Sequence, residues 1–590
     1  MRTAVLLGLT ALIAGLAGPT GAASAGFKTD QAPMLNPVIP RAWVDPIITV
    51  GDEIGDYQFE SIPDGISIRK SKGDVEIYVN HETSTVPFPY FNDPNAVPPT
   101  SPTQANSQND FNNAELSRLV LNPKDASIAN ASMVIGSDQG FQRFCSNFLA
   151  TKEHGFERDL LLTNEEAVDW VNKNGPSFWP ATEGASTARQ SGAAVAYDPA
   201  SGEARPIWGM GRLNHENSLA MPGYKKPVVI TGDDTFVNSP AQSQMYMYIA
   251  NDANSVWNDT GDLYAFVSDG TQQQYSDFSP LVPAGSASTT GHFIKIPKFI
   301  ATGKDPATGD DLMSARAEQL LGVAAGTYTP PTDGSFSRPP GKTTGASVDG
   351  PQWVLERWSQ LNGAFRFIRL EDMAYDKRPG MSNVVYVIDS GRGTAGTPAA
   401  GVSTNGRVWK MVLDPNDPTK VTSLSILIEG DDSAVKTPSE IHQPDNIEST
   451  QKGLYITEDP GSSQQFNYSE AQLADGRRTE ARIWQYRFDG TMRVAFKIDQ
   501  SADEGPTDVD PVPNPIPSGG SARGNLGAWE ASGIVDVSDQ FGPGTFLVTV
   551  QAHTLFVETK PGLDVTGDSN PDILDKREGG QLLLIHVPNG

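Results

Sequence analysis

Val228-Val229-Ile230-Thr231-Gly232-Asp233-Asp234 is an apolar, β-prone run that ends on two carboxylates. The same form returns at Val384-Val-Tyr-Val-Ile-Asp389 and at Gly453-Leu-Tyr-Ile-Thr-Glu458-Asp459. A second unit recurs beside it, a strand-like run closed by a polar turn, at 116–122 before Pro123, 193–198 before Pro199, 407–414 before Pro415 and 482–489 before Gly490. Each carries the signature of a strand followed by a turn. Irregular repeats of about 40 to 50 residues, each made of several short strands, are what a propeller blade predicts. The expected architecture is all-β, a β-propeller with loop insertions and a few short helices.

Composition agrees with this reading. Gly and Pro, at 57 and 45 residues of 590, supply about one residue in six, above the roughly 12% of average usage. Helical periodicity is confined to short stretches at 313–321 and 164–172. The stretch 271–350 is rich in Gly, Pro, Ser and Thr and reads as an insertion that decorates the propeller, while 98–113 reads as a long polar surface loop. A terminal strand at 580–587 is placed to complete the first or last blade, which would close the ring without an open edge.

The N-terminus reads as a secretory signal over 1–25, with Arg2, an apolar run and Ala23-Ser24-Ala25 before Gly26. The remaining 26–590 is then a single propeller domain in a secreted or periplasmic, monomeric protein with no membrane span. The net charge of −27, from 71 acidic and 44 basic residues, excludes a nucleic-acid binder working by bulk charge. Cys145 is the only cysteine, so no intramolecular disulfide forms. Such a thiol is either a small buried hydrophobe or a ligand or nucleophile.

Acidic and amide residues cluster at strand ends: Asn80-His81-Glu82, Glu165-Glu166, Asn214-His215-Glu216-Asn217, Gly232-Asp233-Asp234, Arg369-Leu370-Glu371-Asp372 and Gln443-Pro444-Asp445-Asn446. In a propeller, loops between strands collect at one end of the channel, so carboxylates distant in sequence can meet around cations. Each cluster alone is better explained by turn capping, and His81 and His215 are equally explained by structural hydrogen bonds. Asp568-Ser-Asn570-Pro-Asp572 begins like a calcium loop but lacks the following Gly. No nucleophile elbow, zinc-protease helix, phosphate loop or dinucleotide fingerprint is present in the sequence.

In order along the chain, six segments resemble the PhoX-type alkaline phosphatases, a secreted bacterial propeller family. They are Phe144-Cys145-Ser146-Asn147 with Leu162-Thr163-Asn164-Glu165-Glu166; Gly211-Arg212-Leu213-Asn214-His215-Glu216; Thr231-Gly232-Asp233-Asp234; Arg369-Leu370-Glu371-Asp372; Pro444-Asp445-Asn446; and Thr549-Val550-Gln551-Ala552-His553. The resemblance implies hydrolysis of small-molecule phosphate monoesters at a centre of iron and calcium ions, with a metal-activated oxygen as nucleophile. It implies that Cys145, Glu216, Glu371 and Asp445 hold iron. It further implies that Glu165, Glu166, Asp233 and Asp234 are calcium-ligand positions, and that Arg369 contacts the phosphate. On an extended strand Arg369 would share a face with Glu371, two residues on.

Two other readings use the same residues. Gln443-Pro444-Asp445-Asn446 followed by Gly453-Leu-Tyr-Ile also resembles the gluconolactonase type, a calcium-dependent lactonase or esterase that leaves Cys145 without a role. A non-enzymatic binding propeller would keep calcium only as a staple.

Overall fold

The structure is a computed structural model. It describes residues 26–60, 62–71, 73–83, 113–173, 187–235, 241–278, 287–330, 349–391, 405–430, 440–459, 480–499, 529–558, 574–588 and 590. The expected signal at 1–25, the loop at 98–112 and the turn at 568–572 lie outside them.

Along the described chain, six antiparallel four-stranded sheets follow one another. Blade 1 is Pro63–Ser71, Asp74–His81, Glu115–Leu121 and Ile128–Ile135. Blade 2 is Phe144–Ala150, Leu160–Glu165, Ala194–Asp198 and Glu203–Pro206. Blade 3 is His215–Ala220, Val228–Asp233, Met245–Ile249 and Asp262–Ser268. Blade 4 is Leu370–Tyr375, Val384–Asp389, Arg407–Leu413 and Lys420–Glu429. Blade 5 is Pro444–Ser449, Gly453–Glu458, Arg482–Arg487 and Met492–Ile498. Blade 6 is Glu530–Asp536, Thr545–Glu558 and Leu574–His586, with Trp43–Thr49 on its outer edge. The six first strands pack side by side in a closed ring, so the fold is an all-β propeller. Both units noticed in the sequence have fixed places in it. The apolar runs ending in acids are second strands, and the strand-then-turn units are third strands.

Ring closure differs in detail from the expectation. The C-terminal strand lies inside blade 6, and the N-terminal Trp43–Thr49 covers its edge. Both ends of the propeller chain thus meet in one sheet, and the last blade keeps no edge where a fourth strand is missing.

Hydrophobic contact explains the uninterrupted apolar runs. Six clusters of buried side chains lie between neighbouring blades. In Val384–Asp389, Val385 and Val387 face blade 3, whereas Val384, Tyr386 and Ile388 face blade 5. Alternate side chains leave opposite faces of a strand, so a blade covered on both sides has no polar face to alternate with.

Between blades 3 and 4, Ser288–Lys295 pairs with the outer strands of both. The helices Lys298–Thr302, Ser314–Leu321 and Pro351–Leu361 pack onto the core between blades 2 and 3 through Ile300, Ala317, Val354, Leu355 and Trp358. The helix expected at 313–321 is therefore present. That at 164–172 is not: its residues end Leu160–Glu165 and form Trp170–Asn172, which pairs with Ala188–Gln190. Strand pairing overrides the local helical pattern there. Among the described residues no helix is long and apolar enough to cross a membrane.

Candidate metal centre

Every blade carries a one-residue bulge near the start of its first strand. The bulged pairs are Asp64-Gly65, Cys145-Ser146, Glu216-Asn217, Glu371-Asp372, Asp445-Asn446 and Ser532-Gly533. A bulge inserts an unpaired residue, bends the strand and re-aims a side chain. Repeated six times around a ring, it turns five of these first members, four carboxylates and one thiol, toward common ground. The possible ligand atoms of Glu216, Glu371 and Asp445 lie within 4.8 Å of one another, as do those of Cys145, Glu166 and Glu216, and those of Asp64, Glu82 and Cys145. All seven residues are buried. Two glycines permit the crowding: a Cβ at Gly65 would stand 2.5 Å from the Asn147 nitrogen, and one at Gly533 would stand 2.5 Å from the Asp64 carbonyl oxygen.

A second set of acids follows the second strands. The backbone N–H groups of Glu82, Glu166, Asp234 and Asp459 donate to the carbonyls of Ile62, Arg143, Asn214 and Gln443 at 3.2, 2.9, 2.9 and 3.0 Å. Each of these carbonyl residues stands two places before its blade's first bulged residue. Adjacent residues on a strand point to opposite sides, so the residues preceding these acids, His81, Glu165, Asp233 and Glu458, point elsewhere. Glu165 is held by Arg189 at 2.9 and 3.0 Å and accepts from the Gln142 and Ala193 N–H groups. Asp233 accepts from the Thr235 hydroxyl at 2.8 Å and the Asn214 N–H at 3.3 Å. Glu165 and Asp233 are thus not brought into the cluster, whereas Glu166 is. Asp234 sits at its edge, joined to Arg369.

Arg369 reaches Glu371 by a different route from simple alternation. It adopts a left-handed backbone, φ 57°, two residues before the first bulged residue, Glu371. Its Nε and Nη2 donate to the two Asp234 oxygens at 3.0 and 3.1 Å, and Nη2 lies 2.9 Å from Glu371 Oε1. His81 bonds to the Glu60 carbonyl and Ser117, and His215 to Thr231 and the Gly211 carbonyl. Burial pushes their pKa values down to about 4 and about 3. Both are structural, neutral histidines.

The centre is strongly electronegative. Burial first, and then neighbouring carboxylates, pushes Glu216, Glu371 and Asp445 well above the usual range. Glu166 is raised by burial despite Arg143, and Asp64 reaches about 7. Burial, Asp64 and Glu216 push the Cys145 thiol up as well, and its Sγ donates to Glu216 Oε1 at 3.0 Å. The Oδ2 atom of Asp64 is buried without a hydrogen-bond partner among the described residues. Oxygen donors crowded at this density around one sulfur fit hard cations together with a metal that accepts thiolate.

Asp64 and Arg143 were not singled out by sequence reading. Asp64-Gly65 is the one acidic bulge pair outside the quoted clusters, and an acid at the start of five of the six first strands was the available signal.

The family model for alkaline phosphatase PhoX matches residues 182–481, just over half of the chain. The chain belongs to the PhoX alkaline phosphatase family. The matched region of this PhoX family member contains Glu216, Asp234, Arg369, Glu371 and Asp445. No curated protein matches the chain at a significant level. Among solved structures, a candidate glycoside hydrolase from Bacteroides ovatus aligns over 80% of this chain and 96% of its own, at 10% identity and a TM-score of 0.22. An acylaminoacyl peptidase from Pyrococcus horikoshii aligns over 85% and 59%, at 8% identity and a TM-score of 0.20. Scores this low carry no argument about this PhoX protein's fold or chemistry.

Cation-free protein has a characteristic pH response. Unfolded Asp titrates near 3.9, whereas burial raises Asp64 and Asp233 to about 7 and Asp372 to about 8. Between these limits the folded state binds more protons than the unfolded one, so stability falls as pH rises. Chelator-treated protein is expected to melt at a lower temperature at pH 8 than at pH 5. Scanning calorimetry with and without added cations checks this, because cations held by Asp64 should remove its part of the slope and leave that of Asp233 and Asp372.

Proposed function

We propose that this chain is an exported, monomeric, metal-dependent phosphatase that hydrolyses small-molecule phosphate monoesters, with no nucleic-acid partner. The observation that carries the reading is the convergence of Asp64, Cys145, Glu216, Glu371 and Asp445 from five blades, in a chain of an alkaline phosphatase family. Cys145, Glu216, Glu371 and Asp445 would hold iron, and Asp64, Glu82, Glu166 and Asp234 calcium. Such ions supply charge neutralisation at a phosphoryl group and activation of an oxygen nucleophile. We read 1–25 as the export signal and 26–590 as one propeller unit decorated at 271–350.

The remaining work falls to the protein. A phosphate monoester is a dianion and this chain carries a formal charge of −27, so binding requires local reversal of sign. Arg369, gripped by Asp234 and Glu371, presents a guanidinium whose orientation is set before substrate arrives, which limits the ordering cost of a phosphate contact. The bulges fix the carboxylates on strands rather than on loops, so the donor set is held in place by the ring.

The test is elemental analysis of the purified, exported protein for iron and calcium, paired with hydrolysis of a chromogenic phosphate monoester. Iron, calcium and turnover lost together on chelation are expected. Calcium without iron or turnover would overturn the proposal and favour a lactonase-like or purely structural propeller.

A further inference from the structure

We infer that Arg143 is a second phosphate-binding arginine, which grips the substrate phosphoryl oxygens from the side of blade 3 opposite Arg369; this rests on the phosphatase reading above. The sixfold repeat places the two arginines at equivalent positions, a place held in blade 5 by Gln443, which shares the left-handed backbone, φ 40°, and the carbonyl hydrogen bond but has no charge. Arg143 stands two residues before Cys145 in blade 2, as Arg369 stands two residues before Glu371 in blade 4. Both have left-handed backbones, φ 45° and 57°, a conformation that is costly for residues other than glycine and clusters where geometry serves function. Each carbonyl accepts a hydrogen bond from the residue that follows its blade's second strand, Glu166 and Ser390 respectively. Blade 3, with Glu216 and Asp234, lies between them.

The two guanidinium groups differ in how far they are occupied. Arg369 is locked onto Asp234 and Glu371 at 2.9 to 3.1 Å. Arg143 donates from Nε to the Glu166 carbonyl at 3.2 Å. Its Nη2 stops 3.7 Å from Glu82 and 3.8 Å from Glu166, beyond hydrogen-bond length. Its terminal nitrogens make no hydrogen bond among the described residues. The side chain is 23% exposed, against 8% for Arg369. Arg143 is thus a fork held at its base, ion-paired through Nη2 with Glu82 and Glu166 but with no hydrogen bond from its terminal nitrogens among the described residues, at the margin of a centre whose other members are buried. That is the geometry for bidentate recognition of a tetrahedral dianion.

The decisive comparison uses the full, metal-loaded protein as wild type, R143Q and R143K. Measured together are iron and calcium content, kcat and KM for a chromogenic phosphate monoester, and inorganic phosphate affinity by competitive inhibition and calorimetry. For R143Q, unchanged metal content with KM and the phosphate dissociation constant each raised about 10- to 100-fold is expected, the scale of hydrogen bonds to a charged group. R143K keeps the charge beside Glu82 and Glu166 but loses the fork, so its phosphate affinity should fall between those of wild type and R143Q. If R143Q does not fold, a several-fold loss of phosphate affinity in R143K at full metal content carries the test. Phosphate affinity within twofold of wild type in these variants, or a loss of metal in place of phosphate affinity, would overturn the assignment. Wild-type protein that neither hydrolyses the ester nor binds phosphate would overturn the phosphatase reading itself, and this assignment with it.

Discussion

Cys145→Ser is expected to lower phosphomonoester turnover by about 10²- to 10³-fold or more, the scale of losing a charge-stabilising group at a reacting phosphoryl centre, and to remove iron from the purified protein. Serine keeps the size and a donor for the Glu216 Oε1 contact, and the Asn80 amide still donates to the carbonyl of residue 145. Packing is therefore nearly conserved. What is lost is a sulfur that can become an anion: cation binding favours the thiolate that burial and the surrounding carboxylates oppose. A serine hydroxyl does not ionise in its place. Elemental analysis, the thermal midpoint and turnover should be measured on one preparation. Iron and turnover retained in the variant would return Cys145 to the role of a buried small hydrophobe and leave the carboxylates as a calcium site alone.

The propeller was legible because its repeats are physical. A second strand buried on both faces must be continuously apolar, and Val228–Asp233, Val384–Asp389 and Gly453–Glu458 are. The acids after them were visible for the same reason, since the run stops where the strand leaves the core. What sequence could not reveal was which carboxylate of each pair faces the centre. Glu165 and Glu166 are chemically alike, and only strand alternation combined with the ion pair to Arg189 separates them. The bulges were also invisible. A bulge changes register by one residue, so Arg369 and Glu371 converge through a left-handed turn and a re-aimed side chain, where an extended strand would have used period-two geometry. Asp64 escaped notice because Asp-Gly before a strand reads as an ordinary turn. Its role emerges only when blade 1 closes against blades 2 and 6.

Glu216→Gln should separate function from stability more sharply than any other substitution at this centre. Glu216 belongs to two of the three groupings, one with Glu371 and Asp445 and one with Cys145 and Glu166. Removing its charge therefore weakens both at once, and turnover is expected to fall at least about 10³-fold. Glutamine keeps an oxygen to accept from Cys145 Sγ at 3.0 Å and Ser146 Oγ at 2.8 Å. In cation-free protein the effect on stability has the opposite sign. Burial and repulsion by Glu371, Glu166 and Asp64 hold the Glu216 pKa well above its unfolded value, so at pH 8 folding must either bind a proton or bury a repelled charge. The amide removes that cost, and the chelated variant should be more stable than chelated wild type at pH 8 by on the order of 1–3 kcal/mol. At pH 4, where unfolded and folded carboxyls are both largely protonated, the difference should shrink. Denaturant melts of the two chelated proteins at both pH values decide the matter. A variant destabilised equally at pH 4 and pH 8 would mark Glu216 as a structural hydrogen-bond acceptor whose charge has no function.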